Sequence, residues 1–329
     1  MGVNALDVKQ SNVAAVLSAL YGLKAASGKE LAARAGLSQA TVGSIVAALV
    51  EDGKALPGES APSCGGRPAR TYAFNAEYAY VLALSARARG EAQVISGRVV
   101  DLYGAAMWQT EESFNSIRVE SFEAIIEAAL RLYPAIRVLA VSLPGVEKDG
   151  MILFNDYKAL EGLNCAAHFK DRYGLHTLLE NDTNAALLGY GQGLEKDAIA
   201  AGLYFPRLFD PGAGLLIEGK VLKGARGFAG EVARLPLGID WLALDYGDPL
   251  AVGPAVAVLM QVLCCVADPQ RFVLYGDFFT ADVCEAIRQA LDPAFCPALD
   301  FHRDIDADIM RGLLAQGLAA CQLELWGKR

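Results

Sequence analysis

The sequence predicts an α/β protein with a small winged helix-turn-helix module at its N-terminus and a larger body behind it. Three observations carry this. Two short amphipathic helical patterns flank a glycine-containing turn within the first 53 residues, and a Gly/Pro/Ser-rich extended stretch follows them. From Tyr78 onward, apolar strand-length runs alternate with runs of helical period, the texture of a parallel or mixed sheet flanked by helices. Charge divides at the same place. Residues 1–75 hold seven Lys/Arg and five Asp/Glu, a balance of +2, whereas the remaining 254 residues hold 22 and 33, a balance of −11. An acidic body repels phosphate, so any contact with nucleic acid falls to the N-terminal part.

The N-terminal module reads helix by helix. SNVAAVLSALYG (11–22) has apolar residues at helical spacing. In SGKELAARAG (27–36), Ser27 is an N-cap, Glu30 completes a capping box three residues on, and Gly36 stops the helix. LSQATVGSIVAALVEDG (37–53) follows, capped by Ser38, with Leu37, Val42, Ile45, Val46 and Leu49 on one stripe. In a helix-turn-helix the second helix presents its N-terminal side chains to the major groove. Here those are Ser38, Gln39, Thr41 and Ser44, with Gln39 the expected specificity reader. Residues 54–75 supply two extended pieces around a Gly/Pro/Ser tip, a β-wing carrying Arg67 and Arg70. The competing reading is a packing module that touches no DNA.

In the body, 80–86 and 91–109 read as strands, 121–133 as a helix, and IRVLAVSLPG (136–145) as a buried strand ending in a Pro-Gly turn. Strand 174–181 leads into the helix DTNAALLGYG, and two more strands precede the glycine-rich GARGFAGE. Residues 249–267 form an apolar run near transmembrane length. Gly253, Pro254 and Gln261 within it favour a core helix over a membrane span. Strand 271–277, helix 281–291 and a last helix 306–325 complete the chain. Seven cysteines without a CxxC pair suggest neither a disulfide framework nor a zinc ribbon. No secretory n- and h-region opens the chain, so a cytoplasmic protein with reduced thiols is expected. The strand-to-helix break at Glu180, Asn181 and Asp182 stands out. Asp182 there suits a catalytic base, a ligand contact or an N-cap.

The winged helix ending in GGRPA, the SLPG turn, ENDTNAALLGYG, the hairpin GLLIEGKVLKGARGFAGE and DPQRFVLYG occur in the order found in the ROK family, which this chain resembles over residues 9–325. The family joins sugar-responsive repressors with sugar kinases. The resemblance implies an actin-like ATPase (ribonuclease H-like) two-lobed body. It implies a winged helix-turn-helix over 1–76, a first lobe over 77–182, and a second lobe over 183–329 whose last helix packs back on the first. Members carrying the N-terminal module are typically repressors of carbohydrate genes, so the implied partners are an operator duplex, a sugar or sugar-phosphate effector and a second copy of the chain, with no membrane.

The family's kinase equipment is degraded here. Where the kinases have Asp-x-Gly-Gly-Thr, this chain has Ser85-Ala86-Arg87-Ala88-Arg89, lacking the carboxylate for Mg²⁺ and the glycines that let backbone approach phosphate. Arg87 and Arg89 are expected to be a solvated pair; attraction of a phosphorylated effector is the alternative. The second phosphate turn is Phe209-Asp210-Pro211-Gly212-Ala213-Gly214, with a repelling Asp210. Arg234 replaces the family's zinc-binding His and no cysteine follows before Cys264, so no zinc is expected and Trp241 and Tyr246 are expected to pack the loop instead. No cofactor and no phosphoryl transfer are therefore expected. Asn181, Asp182 and Glu231 match the family's sugar contacts, with Asp182 at the vestigial base position, while Ala159 and Leu163 replace a further Asn and Trp. His168 and His176 are expected at the surface or in packing. Three functions stay open: a sugar-controlled regulator, a ligand-independent regulator whose body only dimerises, and a residual sugar kinase.

Overall fold

The computed structural model describes residues 5–58, 70–89, 92–295 and 297–326. It begins with α1 (Ala5–Leu23), which starts a turn and a half before the apolar pattern does, because only its second half is buried. A short strand β1 (Ala25–Ser27), α2 (Gly28–Ala35) and α3 (Gln39–Glu51) follow, α2 and α3 meeting at 110°. The capping box is present: the Ser27 amide donates to Glu30 at 2.7 Å, and Gly36 closes α2 at φ 67°. β2 (Ala55–Pro57) and β3 (Thr71–Phe74) complete a three-stranded antiparallel sheet in the order β1-β3-β2. The winged helix-turn-helix is thus in place, except that its wing tip, with the GGRPA motif and Arg67, lies outside the described residues.

The body contains β4 (Tyr80–Arg89), β5 (Ala92–Val100), β6 (Ala106–Phe114), α4 (Val119–Leu132), β7 (Ile136–Leu143), the hairpin β8 (Val146–Lys148) and β9 (Met151–Phe154), α5 (Cys165–Tyr173), β10 (His176–Asn181) and α6 (Asp182–Gly191). Then come β11 (Ile199–Tyr204), β12 (Gly212–Ile217), β13 (Lys220–Val221), α7 (Pro249–Ala267), β14 (Arg271–Tyr275), α8 (Ala281–Ala290), β15 (Ala298–His302) and α9 (Asp306–Trp326). Two five-stranded sheets result, β10-β7-β4-β5-β6 and β15-β14-β11-β12-β13. Each pairs an antiparallel three-strand meander with two further strands parallel to its first. This duplicated architecture is the two-lobed, ribonuclease H-like body.

Each sheet covers its outer face with its own helices. Phe122, Ile125 and Ile126 of α4 and Phe169 of α5 pack on Leu82 and Leu84 of β4. Val256, Leu259 and Met260 of α7 and Ile287 of α8 pack on Phe272 and Leu274 of β14. α7 is apolar and long enough to cross a bilayer, but half of it is buried in this second core. Trp241 and Tyr246 sit there too, 4% and 6% exposed, and fasten the loop between β13 and α7.

Between the sheets lie α6 and α9. Ala185, Ala186 and Leu187 of α6 and Ile309 and Leu313 of α9 share a core with Ala83 of β4, Ala140 of β7 and Val273 of β14. The two helices touch backbone to backbone at Gly189 and Gly312, where any Cβ would collide with the Asp308 or Ala185 carbonyl.

Candidate functional site

On the N-terminal module, burial of Val42, Val46 and Leu49 turns the opposite face of α3 to solvent. Gln39, Gly43 and Ser44 are exposed on that face. Ser38 and Thr41 are less free than the motif suggested: the Thr41 amide donates to the Ser38 hydroxyl at 3.1 Å, and the two hydroxyls bond at 2.8 Å. They cap the helix first, leaving Gln39 and Ser44 as the unencumbered polar groups. Arg70 is exposed just before β3.

The module is not on a tether. Val16, Leu17 and Leu20 of α1 and Val42 and Val46 of α3 share one apolar cluster with Val81, Val100 and Val138 of the body and Cys321 of α9. At its centre the Tyr21 ring stacks on Tyr103 at 5.0 Å and meets Phe74 and Trp326 edge-on. The Tyr21 hydroxyl donates to the Leu102 carbonyl and accepts from Gln322, while the Tyr103 hydroxyl donates to the Tyr21 carbonyl. Burial above all raises the Tyr103 hydroxyl to about 12, so it remains a donor at any physiological pH.

The second site is a cleft of about 500 Å³ between the lobes. Asn181, Asp182 and Glu231, matched from sequence, all line it. Their roles differ from the expectation in one respect. Asn181, not Asp182, is the N-cap of α6: its side-chain oxygen accepts from the Asn184 amide at 3.1 Å, and its NH2 donates to the Gly145 carbonyl at 3.0 Å. That anchors the Pro-Gly turn to α6. Asp182, one residue on, already has helical backbone, and its carboxylate accepts from the Thr183 amide at 2.7 Å. It is 7% exposed, and burial raises its pKa against the pull of those Thr183 bonds and of Arg87. Glu231 follows Gly230, which at φ 100° lies against the Ala213 backbone with no room for a Cβ. That contact holds Glu231 beside β12 in the cleft lining, where burial raises its pKa, opposed by Arg234 and reinforced by Asp182 and Asp210.

Sequence reasoning missed several cleft residues. Asp156 and Tyr157 follow β9, a strand too short and irregular to show a period, and Tyr204 ends the strand run at β11. Burial, then the charges of Asp182, Glu231 and Asp210, raise Asp156 to about 6, opposed by Lys158. The Tyr157 hydroxyl is buried without a hydrogen-bond partner. Arg87 is the clearest correction. It is no solvated surface charge: its side chain is 13% exposed, ion-paired with Asp306 and 3.8 Å from Asp304, at the start of α9. It also reaches the Tyr204 hydroxyl. The pairing arises because Arg87 lies two residues beyond Ser85, on the same face of β4 as Val81 and Ala83, which α9 covers. The Arg89 side chain lies outside the described residues.

Glu180, the first of the three polar residues at the break, is structural. It is 3% exposed and bonds Lys223 at 3.1 Å and Gln316 of α9 at 3.0 Å, while Lys223 also pairs with Glu147 of β8. His168 and His176 pair with Glu123 and Glu324 at the surface.

No family model matches the chain. The xylose repressor of Caldicellulosiruptor bescii is 23% identical over 234 residues, 69% of this chain and 59% of that one, so the chain spans about three fifths of that relative. A crystal structure of a ROK family transcriptional regulator, a homologue of the E. coli MLC protein, superposes with a TM-score of 0.63 at 17% identity, over 97% of this chain and 98% of that one. In sequence and in fold the chain is thus similar to ROK family proteins. A stretch of 117 residues, 34% of this chain and 38% of its counterpart, is 32% identical to the N-acetyl-D-glucosamine kinase of Vibrio cholerae.

The groups that ROK kinases bind do not fit the residues of this chain. At the first phosphate turn, Arg87 and its Asp304 and Asp306 partners occupy the approach. At the second, Asp210 and Pro211 line the cleft where amide donors to phosphate are needed. At the zinc position, Arg234 lies against the Phe154 and Phe228 rings, 5.8 and 6.0 Å away. Among the described residues no group of three His, Cys, Asp or Glu side chains is placed to hold a metal ion.

Proposed function

We propose that this chain is a DNA-binding transcriptional regulator of carbohydrate genes, acting as a repressor, whose operator affinity is set by a sugar-class ligand in the interlobe cleft. The observation that carries the reading is the shared core of the N-terminal module and the body, because it ties a DNA-reading helix rigidly to the cleft. The names of its relatives, xylose repressors and N-acetylglucosamine kinases, support a sugar as the ligand. The blocked phosphate approach at Arg87 supports binding without phosphoryl transfer.

The route of control follows α9. Its first residue Asp306 holds Arg87 at the cleft, Gln316 in its middle holds Glu180, and Gln322 and Trp326 near its end hold Tyr21 of the winged helix. Closure of the lobes on a ligand tilts α9, and α9 carries the module with it. In a dimer this changes the spacing of two recognition helices, and operator affinity falls.

The test is selection of genomic DNA by the full-length protein, then fluorescence anisotropy on the selected duplex with and without a sugar panel. A duplex bound specifically, released by one sugar and weakened about tenfold or more by Gln39→Ala, is expected, since one base contact is worth roughly 1–3 kcal/mol. Binding indifferent to every sugar points to a body that only dimerises. Sugar-dependent release of ADP from Mg-ATP, abolished by Asp182→Asn, makes the protein a kinase and ends this reading.

A further inference from the structure

We propose that the ligand of the interlobe cleft is a sugar carrying a free, protonated amine, rather than a neutral, acetylated or phosphorylated sugar. This rests on the reading that the cleft binds a sugar, and names its chemical class.

The first ground is charge. Four carboxylates line the cleft from four separate segments: Asp156 after β9, Asp182 on α6, Asp210 between β11 and β12, and Glu231 beyond the β12–β13 hairpin. Three cations line it as well, but two already have partners. Arg87 is held by Asp304 and Asp306, and Lys158 by Glu161 at 2.9 Å. Arg87 and Lys158 still pull on Asp182 and Asp156, but their own carboxylate partners cancel their charge, and Arg234, its guanidinium turned onto the Phe154 and Phe228 rings, is left against the four. Asp182 and Asp156 are largely withdrawn from water, so their repulsion is poorly screened. An anion entering here meets like charge; a neutral sugar leaves the excess uncompensated. An ammonium group with three donors offsets it.

The second ground is independent of charge. The Tyr157 hydroxyl is 3% exposed, has no hydrogen-bond partner and belongs to the cleft lining beside Asp182 and Asp156. A buried hydroxyl left unpaired costs about 1–3 kcal/mol, and a ligand hydroxyl or amine that reaches it recovers that loss. Tyr157 and Tyr204 in the same lining add aromatic surface of the kind that attracts a cation beside a sugar ring.

Glucosamine, N-acetylglucosamine, glucose and glucose 6-phosphate, with the corresponding galactose series, discriminate the classes by calorimetry on the full chain at pH 7 and pH 5. The amino sugar is expected to bind about tenfold or more tighter than its neutral parent at pH 7, roughly the worth of one desolvated cation contact. That advantage is expected to shrink at pH 5, as Asp156, raised to about 6, takes up a proton. Asp210→Asn, at an exposed position with no role in the core, and Asp156→Asn are each expected to reduce the advantage. Far-ultraviolet circular dichroism checks that both variants fold. Equal or tighter binding of an acetylated, neutral or phosphorylated sugar overturns the amine while leaving the sugar site standing. Binding of none of them removes the sugar site and this inference with it.

Discussion

Asp182 shows how one residue type at one break acquires its role from its neighbours. Its position after a strand fits a base, a ligand contact or a cap equally well. The structure gives the cap to Asn181 and leaves Asp182 with one oxygen engaged by Thr183 and a buried place in the cleft wall. Asp182→Asn is therefore expected to weaken ligand binding by about tenfold or more, the scale of a hydrogen bond to a charged group. Operator binding by the unliganded protein should be unchanged, as anisotropy on the selected duplex measures. Asp156 gives a prediction in pH. Its folded pKa of about 6 lies above the roughly 3.9 of a free Asp carboxyl, so between those values the folded state keeps a proton that the unfolded state releases. The stabilisation is complete below about pH 4 and lost as pH rises through about 6. Urea midpoints of wild type and Asp156→Asn across this range should converge at low pH and separate above pH 6, with the variant the more stable.

At the scale of elements, α9 decides most. Its pattern in sequence is that of an ordinary C-terminal helix, with glycines that read as defects. Gly312 and Gly317 are instead where α9 closes on α6 and on Val81 of β4, so a side chain at either position must displace backbone or core. Gly312→Ala should cost about 1–3 kcal/mol, as overpacking does, despite the better helix propensity of alanine. A urea titration checks this, and a stabilised variant would show that the helices are not in contact there. The elements absent from the sequence reading have a common cause. β1, β8, β9 and β15 are short or half-buried, so none displays the two-residue alternation that betrays a strand. With β8 and β9 hidden from any sequence period, nothing in the sequence places Asp156 and Tyr157 at the site.

For the whole molecule, the proposed control of operator affinity turns on the joint at Tyr21. Tyr21→Phe removes the bonds to Leu102 and Gln322 but keeps the rings in place. Stability should fall by about 1 kcal/mol. Ligand affinity should persist, while the ligand's effect on operator affinity shrinks severalfold; an undiminished effect would move the coupling elsewhere. The sequence by itself determined the winged module, the α/β body and the break at residues 180–182, and it carried the expectation that phosphate and zinc ligands are lost. The first three are local, written in caps, periods and residue identity; the last is what the resemblance to the ROK family implies. Only the tertiary structure decided that Arg87 is a buried partner of α9, that Glu180 is a structural hub, and that four carboxylates and an unpaired tyrosine share one cleft. Those residues are distant in the chain, and the charge a group carries and the partner it finds depend on what folding brings beside it.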